Sequence, residues 1–258
     1  ATTTTGACYL KMNIGYSCVN NGYFNGKLDD VRLYNRALSD HEVKTLYNQG
    51  VSKFNKTPTN ILTNGLVGHW TLDGSDTDWT TNTTADLSGG GNTGTMTSMS
   101  TSTSPAIGRI GQGFNFDGTD DYVTVPYNSS LELGNTGSVS LWVKPSVTSP
   151  SQTRNLITYG GTSYNNGYLL NQHDTILRVY WMFGTAAITV NNAFTANVWS
   201  HIVLTNNNGA LTAYVNGIQA GSGTSSGTIV NNYATYIGGV PTGWIETGNI
   251  DDVRVYNR

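Results

Sequence analysis

An eleven-residue segment occurs twice in this chain, and the spacing of the two copies limits what the chain can fold into. Gly26-Lys27-Leu28-Asp29-Asp30-Val31-Arg32-Leu33-Tyr34-Asn35-Arg36 returns 222 residues later as Gly248-Asn249-Ile250-Asp251-Asp252-Val253-Arg254-Val255-Tyr256-Asn257-Arg258, with ten of the eleven positions identical or conservatively replaced. Upstream, Asn13-Ile14-Gly15 matches Tyr236-Ile237-Gly238. A period of this length belongs to a domain rather than to a solenoid. The expectation is the tail of one domain followed by one complete copy of the same domain. As a strand of period two, the second copy sends Ile250, Asp252, Arg254 and Tyr256 one way and Asp251, Val253, Val255 and Asn257 the other. Apolar and polar groups then fall on both sides, which predicts a strand covered on both faces over part of its length. Its carboxylates and arginine either satisfy one another as a structural ion pair or leave one carboxylate for a cation.

From Gly65 onward, short alternating stretches recur between Gly, Asn, Asp and Ser, the spacing of a sandwich. Alternation is plain in Val139-Ser140-Leu141-Trp142-Val143, in Trp199-Ser200-His201-Ile202-Val203-Leu204 and in Leu211-Thr212-Ala213-Tyr214-Val215. Asn216-Gly217 after the last of these is a hairpin-turn signal. Trp70, Phe116, Trp142, Trp199, Tyr214 and Val253 are the expected core. Residues 1–36 read as a terminal hairpin with strands near 7–14 and 26–34 around Asn20-Asn21-Gly22. A hairpin alone is not stable, so it must rest on this chain, on a neighbouring chain or subunit, or on a preceding module. Residues 37–50 are the one expected helix: Ser39-Asp40-His41-Glu42 is a capping box, Val43, Leu46 and Tyr47 have helical spacing, and Gly50 supplies the stop. Residues 51–62 read as a linker, and 63–258 as the complete domain. Cys8 and Cys18 lie on the two arms of the hairpin; they form a disulfide in an oxidising compartment or remain two free thiols.

Composition excludes several function classes. Charged residues are only 11% with net charge −3, and Lys and Arg form no cluster of the kind a nucleic-acid surface needs. No apolar run approaches the roughly 20 residues of a membrane helix. Abundant Gly, Thr, Asn and Tyr with few charges is the composition of an extracellular or cell-surface β protein.

The repeated segment, with "GLVGHWTLDG" (65–74), "DLSGGGNTGT" (86–95), "IGQGFNFDGTDDYVTV" (110–125), "SVSLWVKP" (138–145), "WSHIVLTNNNGALTAYVNG" (199–217) and "YIGG" (236–239), resembles bacterial laminin-G-like domains of the concanavalin A-like lectin/glucanase superfamily. The resemblance covers residues 63–258, with 1–50 similar to the end of a preceding copy. It implies an all-β, two-layer antiparallel jelly-roll sandwich, joined here to one short helix near the N-terminus. It also implies a structural calcium ion where the first and last strands meet, held by Asp73 and Asp251, with Asp86, Asn92 and loop carbonyls as further candidates. Asp86 and Asn92 would otherwise form Asx turns.

Catalysis is not expected. Retaining glycosidases of this fold place two Glu on one face of a strand, about 5 Å apart. Here Glu42, Glu132 and Glu246 are isolated, and His41, His69, His173 and His201 have no partner at metal-ligand spacing. Residues 163–183 mix Tyr, Trp, Asn, Gln and Arg, and Trp244 sits in a Gly-flanked loop. Tyr164, Tyr168, Asn171, Arg178, Tyr180 and Trp244 are therefore the candidate carbohydrate site, with the alternative that half of them belong to the core. The functional expectation is a non-catalytic recognition module for a glycan or a cell-surface or matrix ligand. The alternative is a structural module of a multidomain adhesin or surface fibre.

Overall fold

A computed structural model describes residues 62–147, 153–160, 167–182, 187–225 and 232–258, together with residues 16–17, 22–23, 33–34, 36 and 39. The chain divides into two compact units, Ala1–Thr59 and Asn60–Arg258. In the first, β1 (Tyr16–Ser17) pairs antiparallel with β2 (Gly22–Tyr23), Tyr16 opposite Tyr23. These short strands, the second of which begins at Gly22, lie between the two strands expected from the sequence. Of the strand expected over 26–34, Leu33 and Tyr34 are described; both are exposed and lie outside any strand. Cys8, Cys18, the linker up to residue 61 and the helix at 37–50 apart from exposed Ser39 fall outside the described residues.

The second unit is a two-sheet antiparallel sandwich. Its strands are β3 (Leu66–Trp70), β4 (Thr77–Asp78), β5 (Thr83–Thr84), β6 (Gly94–Thr97), β7 (Pro105–Ile107), β8 (Gln112–Asp117), β9 (Tyr122–Val125), β10 (Thr136–Pro145), β11 (Thr153–Tyr159), β12 (Tyr168–His173), β13 (Ile176–Trp181), β14 (Ile188–Val190), β15 (Ser200–Asn207), β16 (Ala210–Val215), β17 (Ile218–Thr224), β18 (Thr235–Ile237) and β19 (Thr247–Tyr256). An eight-stranded sheet runs β17-β16-β15-β10-β19-β8-β7, with β3 also on β19. The opposing nine-stranded sheet runs β14-β13-β12-β11-β18-β9-β6-β5-β4. Asn216 and Gly217 turn β16 into β17 with φ of 52° and 78°, the left-handed pair that a two-residue hairpin of this twist requires.

The last strand is the axis of the eight-stranded sheet. Along one side it pairs with β10; on the other it pairs first with β8 (Thr247–Ile250) and then with β3 (Val253–Tyr256). At the changeover the register against β10 slips, from Trp142 opposite Asp251 to Ser140 opposite Arg254. Asp252 takes φ 49° in this bulge. The extra residue resets the alternation. Ile250, Val253 and Val255 all enter the core at 0% exposure, while Asp252, Arg254 and Tyr256 stand on the outer face. The strict period-two assignment, with Ile250 beside Asp252, is thereby corrected: the bulge moves Ile250 to the side of Val253.

Between the sheets, Trp70, Phe114, Phe116, Leu141, Leu170, Trp181, Ile202 and Leu204 interlock with the inward residues of β19. Trp70, Phe116 and Val253 lie in the core as expected, whereas Trp142, Trp199 and Tyr214 are half-exposed and outside it. Trp142 alternates with core residues Leu141 and Val143 and so must face outward. The indole of Trp70 is satisfied by donating to the Asn92 carbonyl at 2.7 Å.

Glu246, in the loop before β19, is completely buried beside Arg154. Burial pushes its carboxyl from 4.5 up to about 8, with Arg154 opposing part of the rise. The folded state therefore holds this proton more tightly than the unfolded chain, and stability falls as pH rises through that window. Burial also raises Asp121 and Asp251, but only to about 6. Thermal denaturation should show a midpoint that declines between about pH 6 and pH 8 in the natural protein and is flat over that range in Glu246→Gln; parallel curves would contradict the assignment.

Candidate functional site

The outer face of the eight-stranded sheet carries the clearest concave site among the described residues. Ser138, Ser140 and Trp142 of β10, His201, Val203 and Thr205 of β15, and Asp252, Arg254 and Tyr256 of β19 line a groove of about 460 Å³. An adjoining hollow of about 570 Å³ is lined by Arg109, Trp142, Trp199, His201 and the Asn216–Gly217 turn, among others. Trp142 and His201 line both. They are directly opposed across β10 and β15, with ring centroids 4.7 Å apart.

Polar groups in the groove are held by one another. His69 Nε2 lies 2.9 Å from Asp252 Oδ1, and the Arg254 guanidinium donates to the same oxygen through Nε at 3.0 Å and lies equally close through its terminal nitrogen. Burial alone would raise the Asp252 carboxyl, but His69 and Arg254 outweigh it and hold the group below the usual carboxylate range. Ser140 Oγ sits 3.0 Å from His201 Nε2, and burial lowers the His201 imidazole. Asn216 Oδ1 accepts from the His201 backbone N–H at 2.8 Å. Of the two adjacent carboxylates of the repeated Asp-Asp-x-Arg segment, Asp252 is thus an ion-pair partner and Asp251 is not.

Asp251 is fully buried and turns to the β7–β8 turn. Its Oδ2 accepts from the backbone N–H groups of Arg109 (2.6 Å) and Ile110 (2.7 Å). Asp73 Oδ1 accepts from Gln112 N at the other end of the same turn, at 2.5 Å. Burial first, and the charges of Asp252 and Asp73 after it, push the Asp251 carboxyl up to about 6, with the two backbone donors opposing. Asp251 Oδ1 has no hydrogen-bond partner although it is buried. An orphaned carboxylate oxygen with a second carboxylate nearby fits a hard cation such as calcium. Asp86 accepts four hydrogen bonds, from His69 N, Ser88 N, Ser88 Oγ and Asn92 N, and so pins the Gly-rich loop to β3. The Asn92 amide nitrogen donates to Val67 O and Ser130 Oγ, while its Oδ1, like that of Asp251, is buried without a hydrogen-bond partner. A further carboxylate cluster, Asp117, Asp120 and Asp121, closes the β8–β9 turn: Asp117 Oδ1 accepts from Thr119 N and Asp120 N, and Asp121 Oδ2 from Asp117 N.

The residues expected to bind carbohydrate are dispersed. Tyr164 lies outside the described residues. Tyr168 is in the inter-sheet core, stacked between Tyr159 (5.5 Å) and Trp181 (5.4 Å). Arg178 and Tyr180 alternate with core residues of β13 and so face outward from the nine-stranded sheet. Asn171 is paired with Arg178 in register but fully buried, and neither of its amide atoms has a hydrogen-bond partner. Trp244, 38% exposed, sits in the β18–β19 loop, where its carbonyl accepts from Asn155 N opposite Asn171. Asn171, Arg178 and Tyr180 therefore share the outward face of the nine-stranded sheet, on the opposite side of the sandwich core from the groove, and Trp244 bonds to β11 through its backbone. The groove itself was signalled by the residues alternating with core positions, Ser-x-Ser-x-Trp on β10 and His-x-Val-x-Thr on β15, which aromatic-to-core reasoning passes over.

Solved structures similar to this chain share the sandwich. Domain 4 of the extracellular arabinanase AbnA from Geobacillus stearothermophilus, solved with arabinotriose, has a TM-score of 0.55 at 23% identity, covering 74% of this chain and 91% of that one. The binding domain of Paraclostridial Mosquitocidal Protein 1 has a TM-score of 0.59 at 19% identity over 76% of this chain and 50% of that one. The botulinum neurotoxin serotype D ligand-binding domain, solved with N-acetylneuraminic acid, has a TM-score of 0.55 at 16% identity over 76% and 48%. The chain thus spans about half the length of these toxin domains. No curated protein matches it. Residues 117–258 match the profile of the family described as "Concanavalin A-like lectin/glucanases superfamily". With more than half of its length matched and the expected two-sheet jelly roll in place, the chain belongs to the concanavalin A-like lectin/glucanase superfamily.

Proposed function

We propose that the sandwich is a non-catalytic carbohydrate-binding module acting outside the cell or at its surface, with the groove on the eight-stranded sheet as its binding site. The lining of that groove carries the reading. Half-exposed indoles of Trp142 and Trp199 stand beside a fixed row of Ser140, His201, Asn216 and Arg254. Saccharides offer C–H faces to aromatic surfaces and hydroxyls to such polar groups, which is the mixed chemistry of small-ligand sites. The presence of arabinotriose and N-acetylneuraminic acid in similar folds supports a saccharide. A non-catalytic role is supported by the two described glutamates: Glu132 accepts the Tyr159 hydroxyl at 2.9 Å, and Glu246 is sealed beside Arg154. No helix among the described residues is long and apolar enough to cross a membrane.

A glycan array followed by calorimetric titration tests the site. Trp142→Ala should weaken a saccharide hit at least about tenfold, roughly 1.4 kcal/mol, with the melting midpoint little changed. An array without hits would overturn the saccharide reading; a loss produced by Trp244→Ala or Arg178→Ala instead would move it to the nine-stranded sheet.

Asp73 and Asp251 would hold a structural calcium ion, which would neutralise their mutual repulsion and tie β19 to the β3 end and the β7–β8 turn. Calcium added in excess should raise the melting midpoint by roughly 2–4 °C, the shift of about 1 kcal/mol in a domain of this size. Asp251→Asn should remove the response. An unchanged midpoint with calcium and with chelator would overturn the calcium reading.

A further inference from the structure

We infer that the groove selects saccharides bearing a carboxylate, with Arg109 as the residue that makes the selection and Lys144 as a second contact. The inference rests on the groove reading above and adds the ligand's charge class. The chain as a whole carries net charge −3. Around this groove the balance is reversed. Arg109, Arg254 and Arg258 line it, and Asp252 is the one acid among the lining residues. That acid is already engaged by His69 and Arg254.

Arg109 is exposed and lies with its guanidinium 5.0 Å from the centroid of Trp142. Lys144 Nζ lies 5.5 Å from the centroid of Trp199. Neither cation has an ion pair or a side-chain hydrogen bond to a described residue. Two cation–aromatic pairs along one face, with their donors unspent, are a receptor for an anion carried on an apolar ring. A carboxylated sugar has that form: its ring packs toward the indoles and its carboxylate meets the guanidinium fork two oxygens to two N–H groups.

Arg109 is also placed in advance. Its backbone N–H is tied to Asp251, as is that of Ile110, and Gln112 N is tied to Asp73. The turn that carries the guanidinium is thus anchored to the last strand and to the loop that follows β3, so little ordering remains to be done on binding. The side chain is exposed and its backbone bonds survive substitution, so Arg109→Gln should fold with the natural melting midpoint.

The test compares one acidic oligosaccharide, ending in a uronic or sialic acid, with the same compound after its carboxylate is reduced to the alcohol. Titration calorimetry at low and at 0.5 M salt is read for both. The natural protein should bind the acidic form at least about tenfold more tightly at low salt, with the advantage shrinking at high salt. Arg109→Gln should lose most of that tenfold, the ratio of acidic to neutral affinity falling toward one; Lys144→Gln should lose a smaller part of the ratio. Equal binding of both forms, weakened by Trp142→Ala, would overturn the charge inference and leave the saccharide site standing. Acid preference that survives Arg109→Gln and Lys144→Gln would also overturn it. Binding of neither form, with no glycan hit elsewhere, would overturn both.

Discussion

Opposite Leu141, the last strand carries one residue more than its partner, and this extra residue sets the layout of the domain. Without it Ile250 and Val253 would point to opposite faces. With it Ile250, Val253 and Val255 share the core, and Asp252, Arg254 and Tyr256 share the groove. The cost is one residue in left-handed backbone, and Asp tolerates that conformation better than a branched apolar residue would. The bulge falls where β19 leaves β8 for β3, so the gap between those two strands opens beside Asp251. A carboxylate there can reach the N–H groups of the β7–β8 turn, which a continuous ladder would have occupied.

Charges are scarce in this chain, at 11% of residues, and their positions around the bulge divide the labour between them. Asp252 gathers His69 and Arg254 onto one oxygen, which keeps three polar groups in fixed positions on the sheet face. Asp251, its neighbour, faces backbone donors instead and keeps one oxygen without a partner. Adjacent identical residues thus serve different ends because the backbone between them is bent. Cations outside this network, Arg109 and Lys144, are left to solvent and to aromatic faces. The groove's electrostatic character follows from which charges the bulge consumes.

The sandwich was legible because its signals are periodic: alternation over Val139–Val143 and Leu211–Val215, and Asn-Gly at 216–217, specify strands and a turn without reference to the rest of the chain. Trp70, Phe116 and Val253 were placed correctly for the same reason. What alternation cannot report is a slip of one residue, since a bulge leaves no gap in the sequence; strict period two therefore puts Ile250 on the wrong face of β19. Nor does it report which face of a strand is inside. Size and apolarity alone would turn Trp142, Trp199 and Tyr214 inward, yet Leu141, Val143 and Ala213 fill the core from the alternate positions. The Tyr- and Asn-rich stretch at 163–183 drew attention by composition, but Tyr168 is core and Asn171 is buried, because strands of this sheet carry buried residues on both faces. Asp73 and Asp251 were brought together by the meeting of first and last strands, whereas Asp86 spends its oxygens on its own loop, as Asx-rich turns do.

The two candidate ligand chemistries, a cation at Asp73 and Asp251 and a saccharide in the groove, meet at one turn. Asp251 Oδ2 receives the N–H of the residue whose side chain lies over Trp142. A cation on the unpartnered Oδ1 would hold the carboxylate ionised and keep Oδ2 a strong acceptor, and so would keep Arg109 where it stands. The groove floor behaves differently. Ser140, His201 and Arg254 lie on strands bonded on both sides and make no hydrogen bond to Asp251. A saccharide on the floor and a carboxylate at Arg109 would therefore be held by different parts of the fold: the floor is sheet, and Arg109 stands on a turn held by two carboxylates.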